Sequence, residues 1–192
     1  MNLAILASGA GSNTLNIIRH FESSPDVKIV LIASNKKDAG VFNIATDHGI
    51  GTFILTKENF LQSEEFLWVL KKASVDFVIL AGFLWKVPVS LVHAYNQRII
   101  NIHPALLPKY GGKGMYGHLV HEAVFLNKEK ETGITIHYVN EHYDEGTVIF
   151  QSSVLLNDDD TPSTIEKKVR ELEMKYLPAV IEKEIRELGA NS

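Results

Sequence analysis

Residues 2–13 read NLAILASGAGSN, a short apolar run that leads directly into a turn with two spaced glycines. An uninterrupted apolar run of this length is typical of a strand buried on both faces of a sheet. A glycine turn between such a strand and a helix presents backbone N–H groups and the positive helix end to an anion. The segment therefore predicts a parallel α/β sheet with an anion site after its first strand.

The glycine loop, residues 8–13, is an incomplete dinucleotide fingerprint. Gly9 and Gly11 fit its first two glycines, but Thr14 stands where the third is expected. The second apolar run ends without an acidic residue for a ribose diol, which disfavours a nicotinamide cofactor. A phosphate monoester is the preferred guest, and a plain turn that caps a helix is the alternative.

The rest of the chain repeats the alternation of strand and helix. Apolar runs predict parallel strands at residues 3–7, 28–33, 51–55, 77–80 and 98–101, with helices at 14–21, 41–48 and 63–72. A helix is expected at residues 118–126, and period-two runs at 133–139 and 147–155 predict antiparallel strands. The expected fold is α/β: one domain over residues 1–192, with a Rossmann-like, mostly parallel sheet flanked by helices and extended by antiparallel strands near the C-terminus.

The last helix has a clear start signal. Thr161 can serve as its N-cap with Pro162 in the first helical position, behind three aspartates at 158–160. Helical spacing of apolar residues continues to Leu188, and Pro178 predicts a kink or break. On the third helix, Phe66 and Trp68 are both expected in the core.

Composition narrows the class of function. The 192 residues carry a formal net charge of −4 and no run of five basic residues, so neither nucleic acid nor a membrane surface is the expected partner. The absence of cysteine excludes disulfides, thiolate nucleophiles and cysteine-ligated zinc. The N-terminus shows neither a basic leader nor an apolar signal segment, which favours the cytoplasm. A small molecule is the expected partner.

An amide and an imidazole stand two residues apart at the end of the fifth predicted strand. Alternate side chains share one face of an extended strand, so Asn101 and His103 could converge on one carbonyl. The amide could donate to a developing oxyanion, and the imidazole could act as acid, base or charge stabiliser. Ligands of open α/β sheets sit at strand carboxyl ends, which favours this pair over a histidine elsewhere in the chain. A purely structural histidine is the alternative.

The acidic turn, residues 141–146, reads EHYDEG and leaves two interpretations open. It could be a solvated hairpin turn, since Asp and Gly favour such positions. Alternatively, one carboxylate faces the cleft, pairs with His103 and raises the pKa of that imidazole. A metal site at His118, His121 and Glu122 is not expected, because their order matches no zincin motif.

The chain resembles the phosphoribosylglycinamide formyltransferases, a branch of the folate-dependent formyltransferases, from residue 2 to about residue 180. The segments that carry the resemblance occur in family order: SG (8–9), GSN (11–13), LAGF (80–83), NIHPALLP (101–108) and YDEG (143–146). It implies transfer of a formyl group from 10-formyltetrahydrofolate, a co-substrate, to glycinamide ribonucleotide. No metal is implied, and the protein is expected to be a monomer or homodimer.

The resemblance also assigns roles to residues. As catalytic groups it implies Asn101, His103 and Asp144, with His137 lining the cleft behind them. Phosphate and ribose are assigned to Gly11, Ser12, Asn13 and Glu173. The folate site is assigned to Phe83, Leu84, Trp85 and Val87, together with Asn101 and Asp144.

Two segments depart from the family pattern. Leu84-Trp85-Lys86 replaces a common Met-Arg pair, and the 111–117 loop, GGKGMYG, is richer in glycine than usual. That loop is expected to be mobile, and no site residue is assigned to it.

Other functions remain as alternatives. Formyltransferases that act on tRNA or sugar nucleotides, and formyltetrahydrofolate hydrolases, usually add a domain for which 192 residues leave no room. A phosphosugar-binding module that lost turnover is disfavoured by the intact set Asn101, His103 and Asp144.

Overall fold

A computed structural model describes residues 1–190, which form a single seven-stranded sheet with helices on both faces. The strands are β1 (Asn2–Leu6), β2 (Lys28–Ser34), β3 (Gly51–Ile54), β4 (Phe77–Leu80), β5 (Ile99–His103), β6 (Glu131–Tyr138) and β7 (Val148–Leu155). Their order across the sheet is β3-β2-β1-β4-β5-β6-β7. The first five strands are parallel, and β6 and β7 add antiparallel pairs. The α/β fold with an antiparallel extension is confirmed.

Six helices and one π-helical turn cover the sheet. They are α1 (Ser12–Phe21), α2 (Val41–Asp47), the π-helical turn Lys57–Leu61, α3 (Glu65–Lys72), α4 (Val89–Ala94), α5 (His118–Leu126) and α6 (Pro162–Ala190). Within residues 1–190, no helix has both the length and the apolar character that crossing a lipid bilayer requires.

Two hydrophobic cores lie on opposite faces of the sheet. In β1, Leu3 and Ile5 face the core beneath α1, α2, α5 and α6, whereas Ala4 and Leu6 face the core beneath α3 and α4. All four side chains are fully buried, as the continuous apolar run predicts. Burial on both faces thus fixes the sheet in the middle of the molecule and leaves its strand ends open for a site.

The structure corrects several local predictions. Helix α4 was not predicted, because six residues after Pro88 are too few to show a helical period. Strand β5 continues two residues beyond the predicted end, since its partner β6 pairs as far as His103. Trp68 is 71% exposed while Phe66 is buried, because two residues along a helix turn a side chain through about 200°.

The break that Pro178 could have caused does not occur, since helix α6 runs through this residue as one continuous helix. Pro178 is buried, and α6 packs against α1, α5, β6 and β7 along its length. These contacts offset the one backbone hydrogen bond that a proline cannot donate. The start is as predicted: the helix begins at Pro162, and Thr161 Oγ1 accepts from the Thr164 N–H at 3.3 Å.

Candidate active site

A cleft of about 650 Å³ lies over the carboxyl ends of β1, β4 and β5. The strand order reverses between β1 and β4, which is where open α/β sheets bind ligands. All the residues assigned from the sequence line this one cleft: Gly11, Ser12, Asn13, Phe83, Leu84, Trp85, Val87, Asn101, His103, His137, Asp144 and Glu173. Segments far apart in the chain therefore share one site.

Strands β5 and β6 place four polar side chains on one face of the sheet. Asn101 lies opposite His137 and His103 opposite Thr135, and residues directly opposite in an antiparallel pair share a face. The Asn101 amide Nδ2 donates to His137 Nε2 at 3.1 Å. Thr135 Oγ1 donates to the Ala105 carbonyl at 2.7 Å, which holds the chain where it leaves β5.

His103 is buried, with 3% of its surface exposed. Its Nε2 lies 2.7 Å from the Tyr110 carbonyl oxygen, and its Nδ1 lies 3.7 Å from Asp144 Oδ1. Burial lowers the pKa of His103 below its ordinary value, although Asp144 and the Tyr110 carbonyl act in the opposite direction. The sequence-based hypothesis of a raised pKa is wrong for the free protein, because desolvation of the imidazolium outweighs the nearby carboxylate.

Asp144 is the carboxylate of the acidic turn that faces the cleft. Its Oδ1 lies 3.7 Å from both His103 Nδ1 and His137 Nε2, and its Oδ2 accepts from the Gly112 N–H at 2.9 Å. Burial raises the pKa of Asp144, but the neighbouring imidazoles of His137 and His103 and the hydrogen bond from the Gly112 N–H outweigh it, so the net shift is downward. The group is a carboxylate at neutral pH, and the cleft-facing interpretation of the turn is the correct one.

The far end of the cleft joins the glycine loop to α6. Asn13 Nδ2 donates to Glu173 Oε2 at 2.9 Å, while Asn13 Oδ1 and Thr14 Oγ1 are buried without a hydrogen-bond partner in the described chain. Burial raises the pKa of Glu173 despite the bond from Asn13. The first turn of α1 thus offers polar atoms and helix N–H groups whose partners a ligand could supply.

An aromatic wall closes the side of the cleft next to β4. Phe83 and Trp85 pack on the buried Phe60, with ring centroids 5.6 and 6.2 Å apart. Leu84 is 37% exposed, whereas Val87 is buried and contributes little surface. These side chains form a mostly apolar wall that suits a flat ring.

Sequence reasoning missed several groups that shape the cleft. Ser8 Oγ donates to Asn35 Oδ1 at 2.6 Å and accepts from the Leu84 N–H at 3.0 Å, so it ties together the loops after β1, β2 and β4. Lys86 Nζ lies 5.5 Å from the centre of the Tyr143 ring and links the aromatic wall to the acidic turn. Ser8 opens the motif SGAGSN, so the sequence could have indicated that this residue contributes to the cleft.

His121 lines the cleft, is 4% exposed and has no hydrogen-bond partner at Nδ1 within residues 1–190. Burial lowers its pKa. Among the described residues, no group of three or more His, Asp or Glu side chains is arranged to hold a metal ion.

Known proteins resemble the chain over almost its whole length. A sequence model of the family described as formyl transferase matches residues 1–181. The phosphoribosylglycinamide formyltransferase, chloroplastic, of Arabidopsis thaliana is 44% identical over 179 residues, which are 90% of this chain and 61% of the plant protein. The chain thus spans less than two thirds of that relative.

Bacterial relatives match over most of their own length. Phosphoribosylglycinamide formyltransferase of Bacillus subtilis (strain 168) is 33% identical over 182 residues, which are 92% of this chain and 91% of that protein. The crystal structure of phosphoribosylglycinamide formyltransferase from Bacillus halodurans superposes with a TM-score of 0.86 at 34% identity. It covers 95% of this chain and 94% of its own.

Proposed function

The chain belongs to the formyl transferase family, and on that premise we propose that it transfers a formyl group from 10-formyltetrahydrofolate to the glycyl amine of glycinamide ribonucleotide. The products are formylglycinamide ribonucleotide and tetrahydrofolate, in purine biosynthesis. The observation that carries the proposal is that Asn101, His103 and Asp144 share one cleft with the glycine loop. One end of that cleft suits an acyl transfer and the other suits a phosphate.

We assign the chemistry to the three polar residues at the end of β5 and in the acidic turn. The glycyl nitrogen forms a bond to the formyl carbon, the bond from that carbon to N10 of the folate breaks, and a proton passes from the amine to the folate nitrogen. In the tetrahedral intermediate, Asn101 and protonated His103 donate to the oxyanion. Asp144, a carboxylate 3.7 Å from His103 Nδ1, stabilises the imidazolium.

The acceptor's phosphate is assigned to Gly11, Ser12 and Asn13 at the start of α1. Backbone N–H groups and the helix end favour an anion there. Glu173 is assigned to the ribose hydroxyl groups, because its carboxyl lies beside Asn13 and can accept hydrogen bonds from them.

The folate is assigned to the aromatic wall, Phe83, Leu84, Trp85 and Val87, with Asn101 and Asp144 at its reactive end. A flat heterocycle buries apolar area against such a wall, and the backbone groups of the same segment can fix its orientation.

We further propose that residues 1–192 act as one cytoplasmic formyltransferase domain, monomeric or homodimeric, without a metal, a membrane or a nucleic-acid partner.

A comparison of two acceptors tests the substrate assignment. Charge-assisted hydrogen bonds contribute roughly 1.5 to 3 kcal/mol each. Because at least two are expected on the phosphate, an acceptor without it should lose about two orders of magnitude or more in kcat/KM. If the dephosphorylated acceptor reacts equally well, or a sugar nucleotide or a charged tRNA reacts better, the substrate assignment is wrong.

The variant Ser12→Asp tests the location of the phosphate. A carboxylate at this position repels the phosphate but stabilises the N-terminus of α1, where negative charge is favourable. Weaker binding of the acceptor would therefore not be the result of a damaged helix. We expect the affinity for glycinamide ribonucleotide to fall and that for the folate to stay within about twofold. Ser12→Asn is the matched control, because asparagine is neutral and similar in size to aspartate. Calorimetric titration measures both affinities.

A further inference from the structure

One ring nitrogen of His103 is occupied by the backbone. The Tyr110 carbonyl oxygen, 2.7 Å from Nε2, can only accept a hydrogen bond, so Nε2 must donate. A neutral imidazole carries a single N–H, which leaves Nδ1 without a proton. Nδ1 is the nitrogen that faces Asp144 Oδ1, at 3.7 Å.

Tyr110 is held in a conformation that a non-glycine residue rarely adopts. Its φ is 58°, in the left-handed region, and this backbone conformation aims its carbonyl at His103. The phenol oxygen donates to Glu129 Oε1 at 2.9 Å, and the ring packs against the core beneath α1, α2, α5 and α6. Burial, reinforced by Glu129, raises the pKa of Tyr110 to about 12, so the phenol keeps the proton that it donates.

Glu129 is itself fixed at the end of α5. Its backbone N–H donates to the Val124 carbonyl at 3.3 Å, and only 24% of its side chain is exposed. Lys109 Nζ lies 3.0 Å from the same Oε1, but the lysine is 68% exposed. An exposed ion pair of this kind stabilises little, so the phenol contact is the one that anchors Tyr110.

We infer that Tyr110 and Glu129 are positioning residues that hold neutral His103 with its proton on Nε2, so that Nδ1 is the nitrogen that gains and loses a proton in the cleft. This inference deepens the proposed function and rests on it for the catalytic role of His103. When Nδ1 takes a proton from solvent, the ring keeps its bond to Tyr110 and directs its second N–H toward Asp144 and the developing oxyanion. Without the anchor, Tyr110 can leave the left-handed region, and its carbonyl then no longer selects one tautomer.

The test reads the tautomer of His103 directly. Long-range ¹H–¹⁵N spectra of the free protein, with the His103 signals assigned from a His103→Gln sample, show which nitrogen carries the proton in the neutral ring. The wild-type protein should carry it on Nε2. Tyr110→Phe and Glu129→Ala should give a mixture of tautomers, whereas Glu129→Gln, which keeps an acceptor oxygen, should restore most of the Nε2–H form.

Kinetics on the same variants separate positioning from binding. Tyr110→Phe and Glu129→Ala should lower kcat about tenfold or more, because the reacting nitrogen is no longer held in one place, and leave KM for both substrates within about twofold. The pH profile of kcat should shift in the same two variants, because the hydrogen bond to the Tyr110 carbonyl raises the pKa of His103 and is disturbed in them. Asp144 and His137, which also act on the pKa of His103, are unchanged. Lys109→Met removes only the exposed ion pair and should match the wild type in every measurement.

The inference is overturned if the neutral wild-type ring carries its proton on Nδ1. It is also overturned if Tyr110→Phe and Glu129→Ala, shown by circular dichroism to be folded, keep the wild-type tautomer and kcat. The spectra need neither substrate, so a wrong acceptor assignment would abolish the kinetic signal and leave the tautomer result intact.

Discussion

Burial lowers the pKa of His103, whereas the negative charge of Asp144 raises it, and the effect of burial is the larger one in the free protein. The imidazole is 3% exposed, and the carboxylate that favours its charged form stands 3.7 Å away, beyond hydrogen-bond distance. The ring is therefore mostly neutral before substrate binds. A negative charge that develops on the formyl oxygen adds a second anion near the ring and favours the protonated form at the step that needs it.

At this scale we predict that Asn101→Ala, His103→Ala and Asp144→Ala each lower kcat about a hundredfold or more, since each removes an interaction with one intermediate. Their melting temperatures should change far less than their activities. The double variant His103→Ala/Asp144→Ala should lose much less than the product of the two single effects. Steady-state kinetics checks this, and wild-type turnover in any folded single variant would remove that residue from the mechanism.

At the scale of elements, the glycine loop meets the N-terminus of α2. Gly11 has a φ of 86°, and a Cβ there would lie 3.1 Å from the Val41 Cα. Gly9, two residues earlier, has no atom within 4 Å of such a Cβ. Only one of the two glycines is therefore required by the backbone, although both belong to the same motif.

The pair Gly11→Ala and Gly9→Ala tests that distinction. Gly11→Ala should lower the free energy of unfolding by about 2 kcal/mol, from the left-handed backbone and the contact with α2, and should weaken acceptor binding. Gly9→Ala should change stability by less than about 0.5 kcal/mol. Urea denaturation measures both values, and equal losses in the two variants would contradict the structural difference between them.

Residues 112–117 line the cleft, and four of the seven residues of the 111–117 loop are glycine. Few side chains hold such a segment in place, so we predict that it is among the most mobile parts of the free protein. Trypsin should cut after the exposed Lys113 and should cut more slowly when both substrates are bound. Cleavage at Lys167, on the exposed side of α6, serves as the reference rate, and equal protection at both lysines would show a general effect.

At the scale of the molecule, the sheet gathers segments from most of the chain into one cleft and buries polar groups with them. Two of these groups, His103 and His121, have pKa values below the ordinary 6.5 because both are desolvated. As the pH falls, the unfolded chain binds protons at these histidines at a higher pH than the folded chain does. Their neutral forms are therefore part of what the folded state requires.

Because both pKa values are lowered in the folded protein, the contribution of these two histidines to stability should be constant above about pH 7.5 and should fall as the pH drops through the ordinary histidine value of 6.5. The slope is at most about 1.4 kcal/mol per pH unit for each histidine. His121→Gln should give a shallower slope than the wild type between about pH 8 and 6. Glu173, with its raised pKa, is present in both proteins and cancels in that comparison. Urea denaturation at several pH values checks this, and an unchanged slope would exclude His121.

Local sequence patterns determined the parts of this protein that depend on near neighbours. The apolar runs predicted the strands, the glycine loop predicted the turn before α1, and Thr161-Pro162 predicted the start of α6. The spacing of Asn101 and His103 placed both side chains on one strand face. Each of these signals lies within a few residues of its consequence, because backbone geometry and periodic burial act over that range.

Only the tertiary structure decided which distant groups meet. Asp144 reaches His103 because the acidic turn folds back over β5, and Tyr110 turns its carbonyl to the same ring because Glu129 anchors its phenol. The continuity of α6 across Pro178 and the downward pKa shift of His103 depend likewise on packing and burial. Contacts and desolvation of this kind sum over residues far apart in the chain, so no local pattern carries them.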